Sequence, residues 1–231
     1  MEAKTLDKKR IKAVCFDVDG TLRDTDDQYI GRVNTLLHPF RLLFPGKDTS
    51  RTARTLVMRF EDPVNILFSI ADKLGIDAPL HKLVEVGNPW KKRKQQSGYY
   101  QLVPDIIPAL EKLAEKFTMA VITVRGATGT QSFLEHTGLG KLFHQVATGQ
   151  TVKRTKPFPD QIFWVAERLG IEPTNCLMVG DTTVDIRAGK AAGAQTVGVL
   201  SGFGEEAELR ARGADLILPS VAALPAALGL S

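Results

Sequence analysis

Short apolar runs alternate with stretches of helical period over most of this chain. "IKAVCFD" at 11–17, "TMAVITV" at 118–124, "NCLMVG" at 175–180, "QTVGVL" at 195–200 and "DLIL" at 215–218 have strand length, β-branched residues and polar turn chemistry at their ends. Between them, apolar positions recur with helical spacing over 106–116, 130–137, 160–169 and 184–192. Strands that are apolar on both faces, separated by single helices, predict a parallel sheet covered on both sides. The expected fold is a doubly wound, Rossmann-like α/β core.

Residues 28–103 break that rhythm. They carry helical patterns ("YIGRVNTLLHPFRLLF", "RTARTLVMRF", "PVNILFSIADKLGI") punctuated by Pro39, Pro45, Pro63 and Pro79, with little strand character. The pattern predicts a core formed by residues 1–25 and 103–231, with a helical domain over 26–102 inserted after the first strand.

Composition narrows the class. A chain of 231 residues with 43% hydrophobic content can bury a substantial core. No apolar run approaches the roughly 20 residues that cross a bilayer, and the start of the chain, "MEAKTLDKKR", lacks the apolar segment of a signal peptide. A soluble, cytoplasmic protein is expected, with Cys15 and Cys176 as buried free thiols rather than a disulfide. The net charge of +4 is uneven: from Gln28 to Val103 there are 12 Lys and Arg against 6 Asp and Glu, and elsewhere 18 against 20. A basic insert on a slightly acidic core suggests a surface that meets anions, with Arg51, Arg54, Arg59 and the "KKRK" run at 91–94 beside Trp90 as its cations. The excess is modest and no dedicated nucleic-acid motif accompanies it, so a small anion is the expected partner.

The chemistry gathers where predicted strands end, the place at which open α/β sheets bind ligands. Asp17 and Asp19 follow the first strand. In extended backbone, residues i and i+2 project to one side, so both carboxylates can face one pocket. Gly20 then allows a sharp turn. A surface turn has no need of an acid inside an apolar run, and Phe16-Asp17 puts one there. "VGDTTVD" at 179–185 places Asp181 after another strand, with Thr182 or Thr183 as the helix cap. If that helix starts promptly, Asp185 lies one turn from Asp181. Four carboxylates at one mouth repel unless a cation neutralises them. Hard oxygen donors without His or Cys suit Mg²⁺, and such an ion favours phosphoryl substrates. Thr123, ending "AVIT", can donate its hydroxyl to a phosphoryl oxygen, and Lys156, opening "KPFPD", can supply positive charge.

"DVDGT", "AVIT", "KPFPD" and "GDTTVD", in this order, resemble the four motifs of the haloacid dehalogenase superfamily of phosphatases. The likeness runs from about Ile11 to Val199, and the insert resembles the helical cap of the phosphoglycolate phosphatase-like branch. The resemblance implies that Asp17 is the nucleophile and Asp19 the acid and base. Thr123 and Lys156 would hold the phosphoryl group. Asp17, the backbone carbonyl of Asp19, and Asp181 would bind Mg²⁺, and Asp185 would assist. Dehalogenases and phosphonatases of the superfamily lack an acid at the position of Asp19, which argues for phosphate ester chemistry. The chain departs from its relatives at Arg125, where small or amide residues are common, at Arg23, where an aliphatic residue is usual, and at Thr155, where glycine often precedes the lysine. Arg125 and Gly20 are therefore expected at the substrate, Arg125 touching the leaving group or pairing with the cap, and Arg23 guarding the entrance or pairing with Asp24. The expected activity is Mg²⁺-dependent hydrolysis of a small phosphorylated metabolite through an aspartyl-phosphate. A sugar phosphomutase and a non-catalytic binding module for phospholigands or nucleic acid are the alternatives.

Overall fold

The structure, a computed structural model, describes residues 6–24 and 100–230. Within them the strands β1 (Ala13–Phe16), β2 (Thr118–Ile122), β3 (Gln145–Ala147), β4 (Cys176–Gly180), β5 (Gln195–Val199) and β6 (Leu216–Leu218) form one sheet. Its order is β3-β2-β1-β4-β5-β6, and every neighbouring pair is parallel. The helices are α1 (Ile106–Ala114), α2 (Ala127–Thr137), α3 (Asp160–Leu169), α4 (Thr183–Ala191), α5 (Glu206–Ala211) and α6 (Leu224–Leu228). This is the doubly wound arrangement that the alternating pattern predicts. The chain builds outward from β1 through β2 to β3, then crosses to the other flank of β1 and continues from β4. The strand order reverses between β1 and β4, and a crevice opens at such a point beyond the carboxyl ends of the strands.

The two faces of the sheet are visible within β1 itself. Ala13 and Cys15 pack into the cluster that holds Ile162, Val165 and Ala166 of α3 and Ala188 of α4, while Val14 and Phe16 join Ile106, Leu110 and Leu113 of α1 on the opposite side. Both faces being covered explains why the strands lack polar alternation. Cys15 and Cys176 are free and buried, on adjacent strands. The hydrogen bond to Cys176, with burial second, pushes the Cys15 thiol well above its usual range.

After β1 the chain turns and runs outward. Arg23 pairs antiparallel with Leu102, Asp24 N–H donates to the Gln101 carbonyl (2.9 Å), and Val103 N–H donates to that of Leu22 (3.1 Å). The departing and returning segments are thus hydrogen-bonded side by side. The helical segments expected between them, with Arg51, Arg54, Arg59, Trp90 and the 91–94 run, lie outside the described residues.

Three elements escape the sequence pattern. β3 is three residues long, too short for a period to show, and α5 and α6 have six and five residues. Helix α2 begins at Ala127, earlier than the apolar spacing suggests, because Gly126 in extended conformation serves as its N-cap.

Candidate active site

Asp17 follows β1 directly, and its N–H donates to the Val179 carbonyl of β4 (2.9 Å), so the residue stands at the reversal of strand order. Asp181 follows β4 at the same edge. Thr182, extended, is the N-cap of α4, and both its N–H (3.0 Å) and its hydroxyl (2.7 Å) donate to Asp185 Oδ2. Asp181 therefore precedes the helix instead of sharing a face with Asp185. The capping interaction still brings Asp185 inward, and the carboxylates of Asp17, Asp181 and Asp185 converge, with one oxygen of each within 4.8 Å of the others. Gly20 has φ 80° and turns the chain back, its N–H donating to the Arg23 carbonyl (2.9 Å).

Lys156 enters this cluster from the loop before α3. Its ammonium lies 2.7 Å from Asp17 Oδ1 and 2.6 Å from Asp185 Oδ1, and its side chain is 2% exposed. Burial works to lower its pKa, but the charges of Asp17 and Asp185 outweigh burial and raise it above the usual lysine range. Asp17 shows the opposite balance. Burial, reinforced by Asp185 and Asp19, overcomes the pull of Lys156 and lifts its carboxyl from 3.8 to about 7. One ammonium among three buried carboxylates leaves negative charge uncompensated by these groups. With all-oxygen donors, the set fits a hard divalent cation. Asp185 Oδ1 accepts from Lys156 and its Oδ2 from Thr182.

Asp19 stands apart. Its carboxylate lies outside the three-acid cluster, and its Oδ1 receives Arg125 Nη1 at 2.7 Å and Arg23 Nη1 at 3.2 Å. The structure thus pairs Arg23 with Asp19 across the Gly20 turn. Arg23 also lies 5.3 Å over the Tyr100 ring on the returning segment.

Thr123 follows β2, one strand from Asp17, and is 1% exposed. Its Oγ1 accepts the Arg125 N–H (3.1 Å), leaving the hydroxyl proton available to another acceptor. Sequence reasoning misses Gln161. Fully buried on α3, it donates through Nε2 to the carbonyls of Thr123 (2.8 Å), Thr148 (3.0 Å) and Ala147 (3.4 Å), while its Oε1 accepts the Lys156 N–H (3.4 Å). It ties the loop carrying Thr123 to the loop carrying Lys156. The available signal is a glutamine next to Ile162 on a helix whose buried face continues through Val165 and Ala166.

Known proteins offer a comparison for this arrangement. The family model described as haloacid dehalogenase-like hydrolase matches residues 14–199. Phosphoglycolate phosphatase of Escherichia coli (strain K12) is 29% identical over 240 residues, spanning 95% of this chain and 93% of the relative. A pyrophosphatase of Bacillus velezensis is 29% identical over 194 residues, spanning 83% of this chain and 84% of its own. Among solved structures, a haloacid dehalogenase-superfamily hydrolase of subfamily IA from Geobacter sulfurreducens superposes with a TM-score of 0.63 at 22% identity, over 95% of this chain and 97% of that one. A haloacid dehalogenase-like hydrolase from Streptococcus pneumoniae gives 0.66 at 22% identity, over 94% and 98%. At such identities the structural likeness speaks for the fold alone.

Proposed function

The chain belongs to the haloacid dehalogenase-like hydrolases, and from that membership we propose that it is a Mg²⁺-dependent phosphatase acting on a small phosphate monoester through an aspartyl-phosphate on Asp17. Relatives named phosphoglycolate phosphatase and pyrophosphatase support phosphatase chemistry. The observation that carries the mechanism is the division between the two acids of "DVD". Asp17 is buried against Lys156 and two further carboxylates, and Asp19, two residues on, is one-third exposed and held by arginines.

Asp17 attacks phosphorus, and the bond to the leaving oxygen breaks as that oxygen takes a proton from Asp19. Asp19 then removes a proton from water, whose oxygen attacks the same phosphorus and frees the Asp17 carboxylate. Lys156 and the Thr123 hydroxyl hold the phosphoryl oxygens, and Gln161 fixes the backbones that carry both. Asp17, Asp181 and the Asp19 carbonyl would hold Mg²⁺, with Asp185 in support. The ion's contribution is to offset the charge of carboxylates and phosphoryl group, allowing one anion to approach another. Arg125 and Gly20 are assigned to the side of the leaving group, and residues 26–102 to the inserted cap domain. The free thiols Cys15 and Cys176 suit a reducing compartment, and we assign the chain to the cytoplasm.

The test is phosphate release from a panel of phosphorylated metabolites, with Mg²⁺ or with chelator, for wild type and Asp17→Asn. Release confined to wild type with Mg²⁺ is the expected result. A requirement for a bisphosphorylated activator would assign phosphoryl return to substrate instead, and equal release from both proteins would remove Asp17 as nucleophile.

A further inference from the structure

The loop after β5, "SGFG" at 201–204, belongs to none of the four motifs, yet it closes over Asp181. Phe203 N–H donates to Asp181 Oδ2 at 2.9 Å, and the Thr21 hydroxyl reaches the other oxygen at 3.2 Å. The Ser201 hydroxyl donates to the Gly20 carbonyl at 2.8 Å, joining this loop to the turn that follows Asp17 and Asp19. The glycines make the enclosure possible. A Cβ at Gly202 would fall on the Asp181 carboxylate, one at Gly204 on the Asp181 carbonyl oxygen, and one at Gly20 on the same carboxylate from the other side.

We propose that residues 201–204 are a positioning element of the metal site, setting the Asp181 carboxylate through the Phe203 N–H and the bare backbone of Gly202. This rests on the reading of Asp181 as a Mg²⁺ ligand given above. A carboxylate with two oxygens and free rotation can meet a small octahedral cation in many ways, and few give the required geometry. Here one oxygen is fixed by a backbone amide and the other by a hydroxyl, and glycine on both flanks leaves room for that rotamer. Groups that orient metal ligands in this way commonly govern affinity by 10- to 100-fold. The Ser201 bond extends the effect, because the same loop fixes the turn whose backbone carries the Asp19 carbonyl.

Gly202 allows a clean test. Its φ is not in the left-handed range, so alanine there strains no backbone, and the added methyl meets a side-chain carboxylate. Mg²⁺ is titrated calorimetrically into chelator-stripped full-length wild type, Gly202→Ala and Ser201→Ala, with the metal-free melting curve of each. Gly202→Ala is expected to raise the Mg²⁺ dissociation constant about 10- to 100-fold while retaining a cooperative metal-free transition, and Ser201→Ala to raise it several-fold. Wild-type affinity in a folded Gly202→Ala overturns the proposal. Should that variant fail to fold, unchanged affinity in Ser201→Ala overturns it equally. Failure of wild type itself to bind Mg²⁺ removes the metal reading on which the loop's role depends, a different result from equal binding by all three proteins.

Discussion

Lys156 and Asp17 meet at 2.7 Å where neither has much contact with water, 2% of the lysine side chain and 10% of the aspartate side chain being exposed. Desolvating both charges costs much of what their attraction returns, so the pair itself adds little to stability. Removing one member is different, because the charge left behind stays buried. Lys156→Met leaves Asp17 and Asp185 without their shared cation, and we expect the metal-free protein to lose about 3 kcal/mol. Urea unfolding in chelator should show that loss, and Mg²⁺ should recover part of it. Equal losses with and without Mg²⁺ would mean that the cation and the lysine do not act on the same charges.

The pH dependence follows from Asp17. Its folded-state pKa, about 7, lies above the ordinary 3.8, so between those values the folded protein holds a proton that the unfolded chain has released. The stability this contributes is fully present below about pH 4 and is lost as pH rises through 7, on the order of 4 kcal/mol at most. Metal-free wild type should therefore weaken over that window relative to Asp17→Asn, when both are followed by denaturant midpoints. With Asp17 as the proposed Mg²⁺ ligand, binding expels the same proton, so affinity should rise towards a plateau above pH 7. A pH-independent Mg²⁺ affinity between pH 5 and 8 would contradict the assignment of Asp17 as a ligand.

Gln161 offers a prediction about geometry. Gln161→Leu keeps the apolar packing of α3 but takes the Gln161 partner from the Thr123 carbonyl and the Lys156 N–H, while the Thr148 carbonyl keeps the Thr151 N–H (3.1 Å). We expect a loss of about 3 kcal/mol in denaturant unfolding. Turnover should fall about tenfold if Thr123 and Lys156 hold the phosphoryl group as proposed, because their two loops lose their common anchor. Loss of stability with unchanged turnover would reduce Gln161 to a packing residue.

The sequence displays the acids because each one offends its surroundings. Asp17 interrupts an apolar run, and Asp181 follows a glycine where a buried strand stops. The parallel core is legible for the same reason, since strands buried on both faces have no polar alternation to confuse with a loop. What the sequence hides is contact across the fold. Arg23 has Asp24 beside it in the chain, yet the Gly20 turn brings it to Asp19. Gln161 reads as one polar position at the start of a helix, and its carbonyl partners lie on two other loops. The enclosure of Asp181 by residues 201–204 uses a backbone amide and the absence of side chains, neither of which a residue pattern records.

The arginines on Asp19 decide whether the departures from family pattern concern chemistry or substrate. Both guanidinium groups address Oδ1, Arg125 at 2.7 Å and Arg23 at 3.2 Å, so in the proposed mechanism Oδ2 is the oxygen that exchanges a proton with the leaving group or water. An acid held by one oxygen is aimed by the other, and a misplacement of about 1 Å can cost on the order of a hundredfold in rate. Arg125→Ala should lower kcat by about 10- to 100-fold with a smaller change in KM, and Arg23→Ala by less, its contact being longer. Because the two share an acceptor, the double variant should depart from the product of the single effects. Steady-state kinetics on the best substrate of the panel separates the roles: a fall in kcat marks Arg125 as orienting Asp19, whereas a rise in KM with kcat intact would place its guanidinium on the leaving group. The conservative replacement sharpens the distinction. Arg125→Lys keeps the charge but loses the planar fork, so it should preserve anion attraction and restore little of the lost kcat if aiming is what the arginine provides.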